Sequence, residues 1–283
     1  MVKILAFFLF LVLLFGTTPV LAIPDFTNSN LSTPGTERTL VLPTSADNSP
    51  VISLGSSVDP KTGKVVEGLA IIHYKKGFDH KPNHTGGSKN PTTSCYTYLS
   101  SGAKWKSIEP WVTNTQNTRG LAGDFVFSNL TADIAKWEDA TDGDLTNGSG
   151  ADVLGPGATT SATLVADTSS PDGQNEVYFA DVSTSGAIAV TIVWGIFSGP
   201  PFARELVEWD QVYDDVDFDW SSSGEANKMD LENIATHEIG HSVGMGHPND
   251  SCTEETMYRF SDFGEIKKRD LNTGDITGID KLY

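Results

Sequence analysis

His237-Glu-Ile-Gly-His-Ser-Val-Gly-Met-Gly-His247 spells H-E-x-x-H-x-x-G-x-x-H, three imidazoles and a carboxylate at spacings a zinc ion can use. Residues four apart on a helix share a face, so a helix here puts His237 and His241 side by side. The flanking sequence favours that helix. Asp230 is a good N-cap with Glu232 in the first turn, where a negative charge meets the positive end of the dipole. Leu231, Ala235, Ile239 and Val243 recur every four residues as an apolar stripe. The two histidines lie roughly 160° round the cylinder from it, leaving one side for a core and the other for a cleft. Glu238 falls about a quarter turn from His237, beside a shared ion rather than on it, which suits a general base.

His247 decides between models. On a continued helix it would sit about 9 Å past His241 and off the face, so the helix has to stop. Gly244 is placed for the left-handed residue that ends helices. With the chain turned back, His247 supplies a third nitrogen and one position stays open, the catalytic rather than the structural zinc arrangement. Three of the chain's six histidines fall within these eleven residues, too many for decoration.

Working outward, Met1–Ala22 reads as a secretory signal peptide: Lys3, an apolar run from Ile4 to Phe15, then Val20-Leu21-Ala22 with small residues at the cleavage positions. The run is too short for a membrane span. Residues 23–94 read as a leader or prosegment, turn-rich from Ile23 to about Pro60, with one strand at Val65–Tyr74 and turns again from Gly77 to Pro91. His73, His80 and His84 are weak candidates for a second metal site. A net charge of −18 disfavours nucleic acid and anionic membranes as partners. Cys95 and Cys252 are the two cysteines, and an even count in a secreted chain predicts a bridge. Glycosylation tripeptides at Asn30, Asn83, Asn129, Asn147 and Asn249 suit exposed loops.

Strands are expected at Ala103–Thr113, Ala162–Ala166, Glu176–Val182, Ala187–Phe197 and Leu206–Tyr213, with helices at Phe125–Trp137 and Leu271–Tyr283. Glu138–Gly157 reads as a loop whose Asp142-Gly-Asp144 lacks full calcium-loop spacing. The acidic run Asp214–Asp219 is read as surface carboxylates, with calcium a lesser candidate.

His237–His247 resembles the metzincin metalloprotease signature at every defined position, and Glu255-Thr256-Met257-Tyr258 resembles that clan's Met-turn. The Met-Tyr pair and the ending Leu271…Asp275-Ile276-Thr277-Gly278-Ile279…Leu282-Tyr283 are similar to matrixins, over about Cys95 to Tyr283. The resemblance implies an α+β, zincin-like catalytic domain at 95–283: a twisted five-stranded mixed sheet, two long helices, the active-site helix and the Met-turn. Ala187–Phe197 is the candidate edge strand for an extended polypeptide substrate.

Departures are present. Pro248 follows the third His, as in serralysins, and Arg259 stands where serralysins carry a tyrosine ligand and matrixins a proline. No cysteine switch exists between Ile23 and Ser94, so latency would need another cap, such as Asp79 or a nearby histidine. No histidine lies between Thr85 and Thr236 to hold a second, structural zinc.

Together these readings predict a secreted zinc endopeptidase, monomeric and without stable membrane insertion. Zinc sits on His237, His241 and His247, Glu238 is the general base, and Gly244, Met257 and Tyr258 support it; calcium is a further candidate cofactor. A zinc-stabilised extracellular binding module and a serralysin-like enzyme are the alternatives.

Overall fold

The computed structural model describes residues 38–43, 49–78 and 94–283; the signal peptide, Asp79, His80, His84 and the tripeptides at Asn30 and Asn83 lie outside them. The sheet is built from β1 (Val51–Val58), β2 (Val65–Lys75), β3 (Glu109–Asn114), β4 (Leu154–Thr159), β5 (Asn175–Val182), β6 (Ala187–Ile196) and β7 (Glu205–Asp214). Helices α1 (Gly123–Asp139), α2 (Leu231–Ser242) and α3 (Thr273–Leu282) complete the α+β architecture. The order β4-β3-β5-β7-β6 forms the expected five-stranded mixed sheet, parallel except for β6. It does not stop there. The strand β2 adds antiparallel to β6, β1 pairs antiparallel with β2, and the short segment Phe260–Ser261 runs parallel to the end of β2.

Period-two alternation explains the layers. Along β5, Val177 and Phe179 join the core under the helices, while Tyr178, Ala180 and Val182 join a second core on the other face. Val126, Leu130, Ile134 and Trp137 of α1 pack into the first core beside Leu231, Ala235 and Ile239 of α2 and Val243 just past its end, the stripe read from the sequence. Two buried indoles also find carbonyls on α2: Trp137 Nε1 donates to Thr236 O at 2.7 Å and Trp105 Nε1 to Ser242 O at 2.7 Å, as buried tryptophans usually do.

Several expectations are corrected. Ala187–Phe197 is not an edge strand, because β2 covers it. Part of the supposed leader is the strand β1. Ala162–Ala166 makes no ladder; Leu164 and Ala166 instead cover the second core. The strand lies earlier, at β4, which begins inside the supposed loop Glu138–Gly157 and runs past it. Gly157 allows it there: a Cβ at that position would stand 2.2 Å from the Trp111 ring. Asn129 is 7% exposed within α1, so its tripeptide is no loop. Asp214 and Asp215 are buried, not surface carboxylates. Asp214 accepts from the amides of Val216, Asp217 and Val182, and Asp215 from that of Thr118.

No helix among the described residues is long and apolar enough to cross a membrane.

Candidate metal centre

The helix α2 starts as its sequence dictates, with the Asp230 carboxylate accepting from Asn233 N at 3.1 Å. It ends at Ser242, followed by Val243 as C-cap and by Gly244 at φ 102, the left-handed turn that a side chain would strain. Met245–Gly246 then pairs antiparallel with Thr97–Tyr98, and Thr97 Oγ1 donates to His247 O at 2.9 Å. The turn brings His247 back over the helix.

The three imidazoles converge. His247 Nε2 lies 3.2 Å from His237 Nε2 and 3.0 Å from His241 Nε2. On the far side of two rings, Nδ1 meets a backbone carbonyl, Thr256 O at 2.6 Å for His237 and Met245 O at 2.9 Å for His241. A carbonyl only accepts, so those Nδ1 atoms carry the protons and both Nε2 atoms present bare lone pairs inward. Burial keeps all three rings below their ordinary pKa, His241 down to about 4. Three neutral nitrogens facing one point are a donor set for a borderline cation such as zinc. His237 and His241 are buried, whereas His247 is partly exposed, so solvent reaches the group from one side.

Met257 is fully buried beneath α2; a Cβ on Gly240 would stand 2.2 Å from its Sδ and 2.6 Å from Trp137, which leaves glycine the fitting residue there. The turn carrying Met257 is held by Asp275, whose carboxylate accepts from Thr256 N at 2.7 Å and Met257 N at 3.2 Å. The ring of Tyr258 packs edge-on against Phe260. Arg259 reaches Asp250 at 2.6 Å, away from the tyrosine-ligand role of its position in serralysins. Cys95 and Cys252 are joined, with Cα atoms 5.5 Å apart.

Glu238 is fully buried, and both its oxygens are engaged: Thr191 Oγ1 donates to Oε2 at 2.6 Å, and His73 Nδ1 lies 2.8 Å from Oε1. Burial pushes its carboxyl up to about 8. The other nitrogen of His73 meets Ser261 Oγ at 3.0 Å and Lys268 Nζ at 3.1 Å. Lys268 is fully buried, its Nζ also donates to Tyr258 O, and burial holds it down at about 7. His73 therefore lies beside Glu238. The sequence reading missed Thr191, Ser261 and Lys268. None carries a spacing signal, since each arrives from a different element.

A second cluster lies where β5 and β7 begin. Asp167, Glu208 and Asp210 bring ligand oxygens within 4.8 Å of one another. Glu208 is 1% exposed, and its Oε1 and Asp167 Oδ2 are buried with no donor other than a proton shared between the two carboxyls. Burial raises Glu208 to about 10 and Glu176 beside it to about 7, and holds Asp210 well above the carboxylate range. Such crowding requires either protons or a cation.

Residues 196–283 match the Matrixin family model. Metalloendoproteinase 1-MMP of Arabidopsis thaliana is 44% identical over 68 residues, 24% of this chain and 18% of the relative. Metalloendoproteinase 1 of Glycine max is 41% identical over 75 residues, 24% of each chain. Matrilysin of Homo sapiens is 47% identical over 49 residues, 17% of this chain and 18% of the relative. The matched stretch thus spans about a fifth of the first relatives' own length.

Proposed function

We propose that this chain, a matrixin-like metzincin, is a secreted, monomeric zinc endopeptidase whose metal is held by His237, His241 and His247. The observation that carries the reading is the convergence of three Nε2 atoms within 3.0–3.2 Å. When bound there, zinc supplies a Lewis acid and lowers the pKa of water. The chain's own residues do the rest. The carbonyls of Thr256 and Met245 hold two of the rings in the ligating tautomer. Thr191 fixes one oxygen of Glu238; the other, which meets His73 Nδ1 at 2.8 Å, takes a proton from the attacking water and returns it to the leaving amine once that contact opens. Met257 floors the histidines, and Tyr258 is a candidate to assist at the carbonyl oxygen. The domain boundary is placed at Cys95, with 1–22 removed as a signal peptide. Metal analysis of the purified protein should give about one zinc per chain, lost on His247→Ala, and 1,10-phenanthroline should abolish casein hydrolysis. Cleavage indifferent to the chelator would remove the reading.

Calcium is proposed at Asp167, Glu208 and Asp210, supported by ligand oxygens within 4.8 Å of one another in a buried setting where Glu208 and Asp167 otherwise share a proton. The folded cluster holds protons that the unfolded chain has lost above the ordinary carboxylate range. In a chelator, stability should therefore fall as pH rises from about 4.5 through 7 and on toward 10, the values of an ordinary glutamate, Glu176 and Glu208. Calcium should raise the melting temperature at pH 8 and flatten that slope. A melting curve that ignores calcium across this range would dismiss the site.

A further inference from the structure

We propose that Arg259 is a specificity-determining residue: its guanidinium, in the cavity beside the metal centre, takes the side-chain carboxylate of a substrate residue close to the cut, so that acidic peptides are favoured. This rests on the endopeptidase reading and names the substrate class which that reading leaves open. A cavity of about 560 Å³ opens beside the imidazoles, touching His241 and His247. From His247 its wall continues through Pro248 to Asp250, and Arg259 lines it from the segment just past Met257. Among the described residues around it, Arg259 is the one lysine or arginine and Asp250 the one carboxylate. A side chain next to the bond being cut therefore enters a space whose fixed charge is a single ion pair.

The pair is unequal. The Asp250 side chain is 63% exposed and that of Arg259 only 13%, so the anion stands at the rim and the cation inside. Arg259 Nη2 donates to Asp250 Oδ2 at 2.6 Å, whereas its Nε is buried with no acceptor among the described residues. A guanidinium offers these two N–H groups as one planar fork that matches both oxygens of a carboxylate, and Asp250 fills one prong. Buried donors are seldom left unmatched, and an ion pair with one exposed partner holds weakly. An incoming aspartate or glutamate can take both prongs by displacing that one contact. The fork is also braced: Arg259 Cζ lies 4.7 Å from the centroid of the Phe260 ring, which is itself buried and meets Tyr258 edge-on. Less side-chain freedom is then lost when the carboxylate binds. The chain's net charge of −18 repels acidic peptides at long range, and a fixed cation inside the cavity reverses that sign where the peptide is cut.

The test uses pools of quenched-fluorescent, C-terminally amidated octapeptides carrying Glu, Gln, Ala or Lys at each position in turn. Zinc-loaded wild-type protein should favour the Glu pool over the Gln pool in kcat/KM by roughly ten- to a hundredfold at one position relative to the cut, the range of a hydrogen bond to a charged group. Arg259→Gln should erase that ratio. Arg259→Lys, which keeps the charge without the fork, should retain part of it. Asp250→Ala, which frees the second prong, should lower KM for the Glu pool several-fold, and it carries the comparison with Arg259→Lys should Arg259→Gln not fold. A Glu-to-Gln ratio near one at every position, or a ratio that survives Arg259→Gln in folded protein, overturns the proposal. So does a preference seen only when the same pools are left unamidated, which moves the contact to a terminal carboxylate. If no pool is cleaved, anisotropy of the same peptides labelled with fluorescein decides: tighter binding of Glu than Gln, lost in Arg259→Gln, supports the carboxylate site and instead refutes the endopeptidase reading, and equal binding overturns the site.

Discussion

Glu238→Gln, in the form of the protein that cleaves, is expected to retain its zinc and lose hydrolysis by roughly 10²–10⁴-fold, the range a positioned general base contributes. The substitution is close to isosteric, and the amide oxygen can still accept from Thr191, now 2.6 Å from the carboxylate. What the amide cannot do is take a proton. Two of the imidazoles, His237 and His241, are held by the carbonyls of Thr256 and Met245 and none by Glu238, so metal content should be unchanged. Thr191→Val is the useful companion: it leaves the carboxylate but removes the donor that fixes its rotamer, and should lower kcat with less effect on KM. Retention of more than about a tenth of wild-type kcat/KM by Glu238→Gln, with zinc and circular dichroism intact, would deprive Glu238 of its role.

What the sequence disclosed about this site was what a single helix and its turn determine. Periodicity placed His237 and His241 on one face, the need to reach a common point placed the turn at Gly244, and the structure puts φ 102 there. The strand β6 is almost continuously apolar, and β5 and β7 carry the runs Val177-Tyr178-Phe179-Ala180 and Val212-Tyr213, which made them legible as strands buried on both faces. β4 was not legible because its sequence Leu-Gly-Pro-Gly-Ala-Thr is set by contact with Trp111 rather than by strand propensity. Pairing was the larger blind spot. Nothing in Val65–Lys75 states which edge it will join, since register and partner are properties of two strands. Consequently His73, an unremarkable histidine in an apolar run, became a neighbour of Glu238 only in three dimensions. Asp214 and Asp215 were misjudged likewise: acidic runs are normally solvated, but these two satisfy amides at the end of β7.

The second large effect is expected from the cross-link. Cys95 and Cys252 close a loop with a sequence separation of 157, and in the chain-entropy model a loop so long stabilises by about 4–5 kcal/mol, an upper figure. Cys252→Ala should therefore lower the melting temperature by about 8–20 °C, taking 2–4 °C per kcal/mol for a domain of this size. Cys95→Ala should do nearly the same, and the double variant should be little worse than either single one, because all three remove one bond. That non-additivity separates loss of the cross-link from loss of packing at Cys252, which is 6% exposed. Function should suffer as well as stability. The bond lies next to Thr97–Tyr98, the segment paired with Met245–Gly246, and anchors the loop between His247 and Met257. A loosened loop lets His247 wander from the other two rings, so zinc should dissociate more readily from the reduced protein well below its melting temperature. Two free thiols in the intact mass of the purified protein, or a double variant twice as destabilised as the singles, would show that the bond does not carry this load.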